Sequence, residues 1–176
     1  MQERSFVKCT LAFLDETFDL REVETLPHLV EWEMVSAEVT ATERIILENF
    51  QQGLRFNVHD WNEYELLAKF IGPIFGTISF SSWDYNWFGE RDLEAKITTA
   101  KEEWRLFGKP DGFIASGRRL HKQPYFAFQE YKREKDPDGD PVGQVLAAML
   151  VGRELNEQKR PMYGCYVVGS NWYFLV

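Results

Sequence analysis

In the stretch PYFAFQEYKREKD, from Pro124 to Asp136, a carboxylate and an amine stand two residues apart at Glu130 and Lys132. If the stretch is a strand, alternation puts both on one face, with Phe126 and Phe128 ahead of them. That face begins as core and ends in an acid beside an amine. It is either the solvated end of a strand or a pair suited to proton transfer and charge stabilisation. Glu-x-Lys also occurs at Glu94–Lys96 and Glu157–Lys159, so the spacing alone does not choose. Glu157 and Lys159 fall in a polar stretch at a helix end, and Glu94 and Lys96 in the weakly apolar RDLEAKI. Glu130 and Lys132 have further candidates around them. Asp111, preceded by Pro110, lies nineteen residues before Glu130, and Gln144 lies twelve residues beyond Lys132. Taken singly, Pro110-Asp111-Gly112 is an ordinary turn signal, and Gln144 reads as a helix-surface residue.

The elements that must carry these residues follow from periodicity. Phe6 to Phe13 alternates weakly and reads as a strand, and 26–36 as a short helix. Thr40-Ala41-Thr42-Glu43 is a capping box, followed at mostly helical spacing by Ile45, Ile46, Leu47, Phe50, Leu54 and Phe56. Asp60-Trp61-Asn62-Glu63 reads as a second helix start. Tyr64, Leu66, Leu67, Phe70 and Ile71 form its apolar face, and Pro73 limits it near its end. Strands are predicted over 77–83, 93–99, 103–108, 112–116, 124–132, 162–169 and 171–176. Before the last two, Asp140-Pro141 makes an N-cap and first helical residue. Val142, Val145, Leu146, Met149 and Leu150 recur behind it at helical spacing. Helices, then strands, a helix and two closing strands predict a mixed sheet flanked by helices in one α/β domain over 1–176.

With 176 residues, 44% hydrophobic and 15% aromatic, the chain can bury a sizeable core. No apolar run is long enough for a membrane span, and MQERSFVKCT lacks the layout of a secretion signal, so a cytoplasmic protein is expected. Cys9 and Cys165 are far apart in apolar settings and read as buried thiols. A net charge of −8 argues against a non-specific nucleic-acid coat but leaves room for a local basic patch or a metal site. GRRLHKQ, with Arg118, Arg119, His121 and Lys122, is the most basic spot. With Lys132, Arg133 and Lys135 it would grip phosphates, or it is a solvated hairpin tip.

Pro110-Asp111, then Glu130-Tyr131-Lys132 on a buried strand, then a helix carrying Gln144 together resemble the PD-(D/E)XK nuclease superfamily. NEYELLAKFIGPIF looks like the first helix of the endonuclease domain of type I restriction enzyme motor subunits, where a Glu opens the helix. YGCYVVGSNWYFLV looks like that domain's closing strand pair. The resemblance covers roughly 60–176, leaving 1–59 as an N-terminal helical and strand extension. It implies a restriction-endonuclease-like core, DNA as substrate, and Mg²⁺ or Mn²⁺ held by Asp111, Glu130 and the backbone carbonyl of Tyr131. Lys132 would orient or deprotonate the attacking water, its pKa lowered by burial or neighbouring positive charge. Glu65 would approach from the first helix, with Glu63 the competing choice, and Gln144 would position water or phosphate. Arg118, Arg119, Lys122 and Arg133 would hold nucleic acid. A homodimer or a restriction-system partner subunit is implied for cutting both strands. The alternative is a catalytically silent nuclease-fold domain that binds nucleic acid or protein.

Other motifs point elsewhere or nowhere. DPDGDP, from Asp136 to Pro141, fails the EF-hand pattern and reads as a turn ending in a helix cap. The histidines have no zinc spacing, and no Gly-rich phosphate loop or Gly-x-Ser-x-Gly elbow occurs. The tryptophans read as core residues, one or two of which could line a groove. The sequence stops at WYFLV inside a predicted strand, so a longer natural chain is one expectation.

Overall fold

The structure is a computed structural model that describes residues 1–78, 81–135 and 137–176. It is an α/β arrangement with two mixed sheets. The larger has the order β2 (Tyr85–Gly89), β5 (Gly112–Ser116), β6 (Lys122–Lys132), β7 (Tyr163–Val168), β8 (Asn171–Leu175). Its pairs are antiparallel except β6 and β7, which run parallel. The smaller sheet has the order β1 (Gln2–Ser5), β4 (Glu103–Gly108), β3 (Leu93–Thr98), with β1 parallel to β4.

Parallel neighbours need a crossover, and helix α6 (Pro141–Leu155) supplies it between β6 and β7. Its start is as expected: the Asp140 carboxylate accepts from the Gly143 N–H at 3.0 Å, and Pro141 opens the helix. Asp140 also accepts from the Leu11 N–H at 2.8 Å, tying two helix starts together. The helix packs on strands of both sheets, so it is buried nearly all round. Its small residues make that possible. A Cβ on Gly152 would come within 2.3 Å of the Phe128 ring. The main core joins Phe113, Phe128, Val145, Ala148 and Val151 with Phe6, Cys9 and Leu14 from the N-terminal segment.

The opposite face of the larger sheet is covered by α3 (Ala41–Asn57), α4 (Glu63–Leu66) and α5 (Gly72–Thr77). Leu54, Trp61, Leu66, Phe70 and Ile71 pack there against Tyr131, Cys165 and Val167. The capping box of Thr40 and Glu43 opens α3 as its spacing predicts. Cys9 and Cys165 are free and buried, and burial pushes their thiols up to about 11 and about 12. No helix among the described residues is long and apolar enough to cross a membrane.

Four expectations are corrected. Phe6 to Phe13 is not a strand: β1 ends at Ser5, a 3₁₀ turn spans Phe6–Lys8, and α1 (Leu11–Phe18) begins. Thr10 caps α1 by accepting from the Phe13 N–H at 3.2 Å, and this cap prevails over weak alternation. Pro73 does not end its helix. The π-helical turn Leu67–Ile71 shifts the backbone register ahead of it, so the proline sits in the first turn of α5, where its missing N–H costs nothing. The strand expected over 77–83 includes residues 79 and 80, which lie outside the described residues. Thr77 still belongs to α5, and the strand that forms is β2, later in the chain. Finally, Phe126 does not share a face with Phe128. A bulge between β5 and β6 pairs Ile114 with Ala127 but Ala115 with Tyr125. Tyr125 therefore joins Phe128 in the core, and Phe126 turns to Tyr85 of β2.

Candidate active site

Asp111 stands at the head of β5. Gly112 pairs with Gln129, so one further step of the register sets Asp111 across from Glu130. Directly opposed side chains have Cβ atoms about 5 Å apart. The Tyr131 N–H donates to Asp111 Oδ2 at 2.6 Å. A strand residue's N–H and C=O project to the same side. The Tyr131 carbonyl therefore also faces the Asp111 side, where Pro110 has no N–H to offer.

Close approach of three strands here depends on Gly112. A Cβ there would meet Trp87 Nε1 at 2.6 Å and Gln129 Oε1 at 2.8 Å. On that face, Gln129 Oε1 accepts from Trp87 Nε1 at 2.9 Å and from the Tyr131 hydroxyl at 2.6 Å. Sequence reasoning missed this buried polar knot. Its only trace is the alternation of Gln129 and Tyr131 with Glu130 and Lys132.

Glu130 and Lys132 are buried on the α6 side, their side chains 7% and 9% exposed, and Lys132 Nζ donates to Glu130 Oε1 at 2.8 Å. Glu63 Oε1 lies 3.7 Å from the same ammonium. Burial raises the Asp111 pKa, against the Tyr131 N–H and Lys132, which lower it. Burial, then the charge of Asp111, pushes Glu130 up to about 7. For Lys132 burial opposes the charge, but Glu130, Glu63 and Asp111 outweigh it, and the net pKa is raised. This reverses the expectation of a lowered Lys132 pKa. Its neighbours are carboxylates, not cations.

The other expected residues divide. Glu65 closes a capping box, its carboxylate bonded to the Asn62 N–H at 3.3 Å and Lys69 Nζ at 2.7 Å. The Lys69 bond, then the Asn62 N–H, lowers its pKa. Glu63, not Glu65, is the residue of this helix that reaches the cluster, because Glu65 is committed to the helix start. Gln144 is buried in the first turn of α6, where a Cβ on Gly139 would touch its Nε2 at 2.6 Å. Among the described residues no hydrogen bond joins it to Asp111, Glu130 or Lys132.

Arg118, Arg119 and Lys122 are exposed at the tip of the β5–β6 hairpin; Lys122 pairs with Ser116, five strand steps or roughly 17 Å from Asp111, and the two arginines lie past the end of β5. The basic loop and the carboxylates are at opposite ends of the same strands. His121 does not join the loop's cations. Its ring packs on Phe88 and Phe113, with Nδ1 3.0 Å from the Tyr125 hydroxyl, and burial pushes its pKa down. Arg133 is half-buried just beyond Lys132 and pairs with Asp138 at 3.6 Å. In DPDGDP, Asp136 lies outside the described residues, and Asp140 is the helix cap described above.

Among the described residues no group of three or more His, Cys, Asp or Glu is gathered as a metal cage. Asp111, Glu130 and the Tyr131 carbonyl, which meet where β5 and β6 adjoin, are the oxygens that could hold a cation here. Mg²⁺, which keeps several waters, is commonly bound by one or two carboxylates.

No family model and no curated protein matches the chain. Among solved structures it is similar, at 14% identity and a TM-score of 0.30, to one titled "Crystal structure of SSO0001", over 84% of this chain and 71% of that one. A likeness that weak carries no argument.

Proposed function

We propose that the chain is a metal-dependent nuclease with a restriction-endonuclease-like core, hydrolysing DNA phosphodiester bonds at Asp111, Glu130 and Lys132. One observation carries this reading: Glu130 and Glu63 approach the Lys132 ammonium at 2.8 and 3.7 Å, and Asp111 stands across from Glu130 on the neighbouring strand. Close carboxylates of which Glu130 is buried are relieved by a proton or by a further cation, and a divalent ion would do so where the proton is lost. The oxygen donors suit Mg²⁺ or Mn²⁺, held by Asp111, Glu130 and the Tyr131 carbonyl. When bound, such an ion acidifies water and offsets charge that builds on the phosphate. The Tyr131 N–H fixes one Asp111 oxygen. Lys132, held protonated by its neighbours, donates to the attacking water or a phosphate oxygen rather than removing a proton. Glu63 keeps a hold on that ammonium from the helix side. Cutting both strands would call for a second copy or a restriction-system partner subunit.

The silent alternative, a domain that binds nucleic acid or protein without chemistry, has one observation in its favour. The Lys132–Glu130 bond already occupies one of the carboxylate oxygens. Plasmid and single-strand cleavage with Mg²⁺ or Mn²⁺, comparing the parent with Lys132→Ala, separates the two. Metal-dependent cutting that the variant loses supports the nuclease. No cutting by the parent, together with no metal-binding heat that Asp111→Ala removes, supports the silent domain.

A further inference from the structure

Beside the basic hairpin tip lies an aromatic residue that the core does not use. Trp83 is 80% exposed, and the Arg118 guanidinium sits 4.4 Å over its ring. The arrangement is built rather than incidental. The Ser82 hydroxyl accepts from the Asp84 and Tyr85 N–H groups at 3.0 and 3.1 Å. The Gly117 N–H donates to the Asp84 carbonyl at 3.0 Å, and Asn86 Nδ2 donates to the Gly117 carbonyl at 2.6 Å. These bonds pin the turn that carries Trp83 to the loop that carries Arg118 and Arg119. Tyr85, two residues on, is 41% exposed and edges onto Phe126 at 6.3 Å.

The charge around these rings is mainly positive. Segments 81–89 and 112–129 contain a single acid, Asp84, against Arg118, Arg119 and Lys122, in a chain whose net charge is −8. An exposed indole flanked by arginines and a lysine fits an unstacked base joined to phosphates, since any base offers a π face and cations hold the backbone. A duplex hides those faces in its own stack. The strand direction supplies the path. β2 is an edge strand, running from Tyr85 beside Ser116 to Gly89 beside Gly112, and the Glu90 N–H reaches the Asp111 carbonyl at 3.4 Å.

We propose that this corner docks single-stranded nucleic acid, with Trp83 stacking a base and Arg118, Arg119 and Lys122 holding phosphates, so that the strand lies along β2 toward Asp111. The substrate assignment rests on the nuclease reading; the docking surface does not.

The test is fluorescence anisotropy of labelled oligothymidine, and of a labelled duplex, at low salt in EDTA. Cleavage assays with Mn²⁺ run alongside. The single strand is expected to bind more tightly than the duplex and to quench tryptophan emission. Trp83→Ala should weaken it about tenfold, the scale of one lost base–aromatic stack, and Trp83→Phe should restore most of that. Arg118→Ala should make binding less salt-dependent. Equal binding by parent and Trp83→Ala, or a preference for duplex, overturns the proposal even if the parent cuts DNA. Loss of binding in Trp83→Ala, with a parent that cuts nothing, keeps the docking surface and removes the nuclease reading. A parent that binds no nucleic acid overturns the proposal and leaves the corner to a protein partner.

Discussion

The main-chain N–H of Tyr131 donates to a carboxylate oxygen of Asp111 at 2.6 Å, binding the head of one strand to the end of its neighbour. The bond survives if the charge is removed, because an asparagine side-chain oxygen accepts equally from the N–H. Asp111→Asn should therefore fold. With one buried charge fewer beside Glu130, its thermal midpoint in EDTA should equal or exceed the parent's. Calorimetry should show Mn²⁺ binding heat for the parent and none for this variant. A variant that retains that heat would remove Asp111 from the proposed metal site.

Glu130 gives the stability a pH dependence of defined sign. Its folded pKa, about 7, lies above its ordinary value of 4.5. Between those values the folded chain keeps a proton that the unfolded chain releases, so stability falls as pH rises through this window and levels off above about 7. Asp111, also raised, acts in the same direction. Glu130→Gln should flatten the fall in metal-free buffer. Added Mn²⁺ should raise the parent's midpoint at the alkaline end and leave that of Glu130→Gln nearly unmoved. Thermal melts from pH 5 to pH 8 check both.

Lys132→Ala leaves Glu130 and Glu63 without the ammonium they both approach. Removing one partner of a buried pair costs about 3 to 5 kcal/mol, and uptake of a proton by Glu130 should hold the loss near the lower end. A Lys132→Met variant, which keeps much of the stem, should recover packing but not cutting. If cutting falls at least about 100-fold in both while only the alanine variant melts early, the ammonium and not the fold is responsible.

Much of this site was legible because strand and helix periods are rigid rulers. Alternation put Glu130 and Lys132 on one face, and the cap at Asp140 placed Gln144 in the first turn of α6. Three features were not legible. The bulge that turns Phe126 away follows from a register shift between strands, which has no signature in either strand alone. The partners of Lys132 come from β5, β6 and a helix start, so the sign of its pKa shift depended on tertiary neighbours. The N-terminal strand lies parallel to β4 about a hundred residues later, a pairing no local pattern announces. Trp83 and Tyr85 did carry a signal, aromatic residues alternating into Trp87, but it was overshadowed by the apolar run before it.

Glu63 and Glu65 share one helical turn and should separate cleanly. Glu63→Gln removes a charge 3.7 Å from Lys132 Nζ and should slow cutting with little change in melting. Glu65→Gln loses the ion pair with Lys69 and weakens the cap on Asn62, so it should lower the melting midpoint slightly and leave cutting intact. The reverse pattern would restore Glu65 as the functional residue.

Two glycines test whether the polar knot behind the site serves more than packing. Alanine at Gly152 drives a Cβ into the Phe128 ring, at 2.3 and 2.5 Å from its nearest atoms. Alanine at Gly112 drives one into Trp87 and Gln129, at 2.6 and 2.8 Å. Both are overpacking changes and should each cost about 1 to 3 kcal/mol, read from denaturant melts. Their effects on chemistry should differ. Phe128 lies deep in the core among α6 residues, whereas Gly112 adjoins Asp111 and its clash wedges apart Trp87 and Gln129, the group that holds the Tyr131 hydroxyl. Gly112→Ala should therefore lose cutting at a temperature where the chain is still folded, while Gly152→Ala retains it under the same conditions. Equal retention in both would reduce the knot to packing and leave Asp111 positioned by the Tyr131 N–H alone.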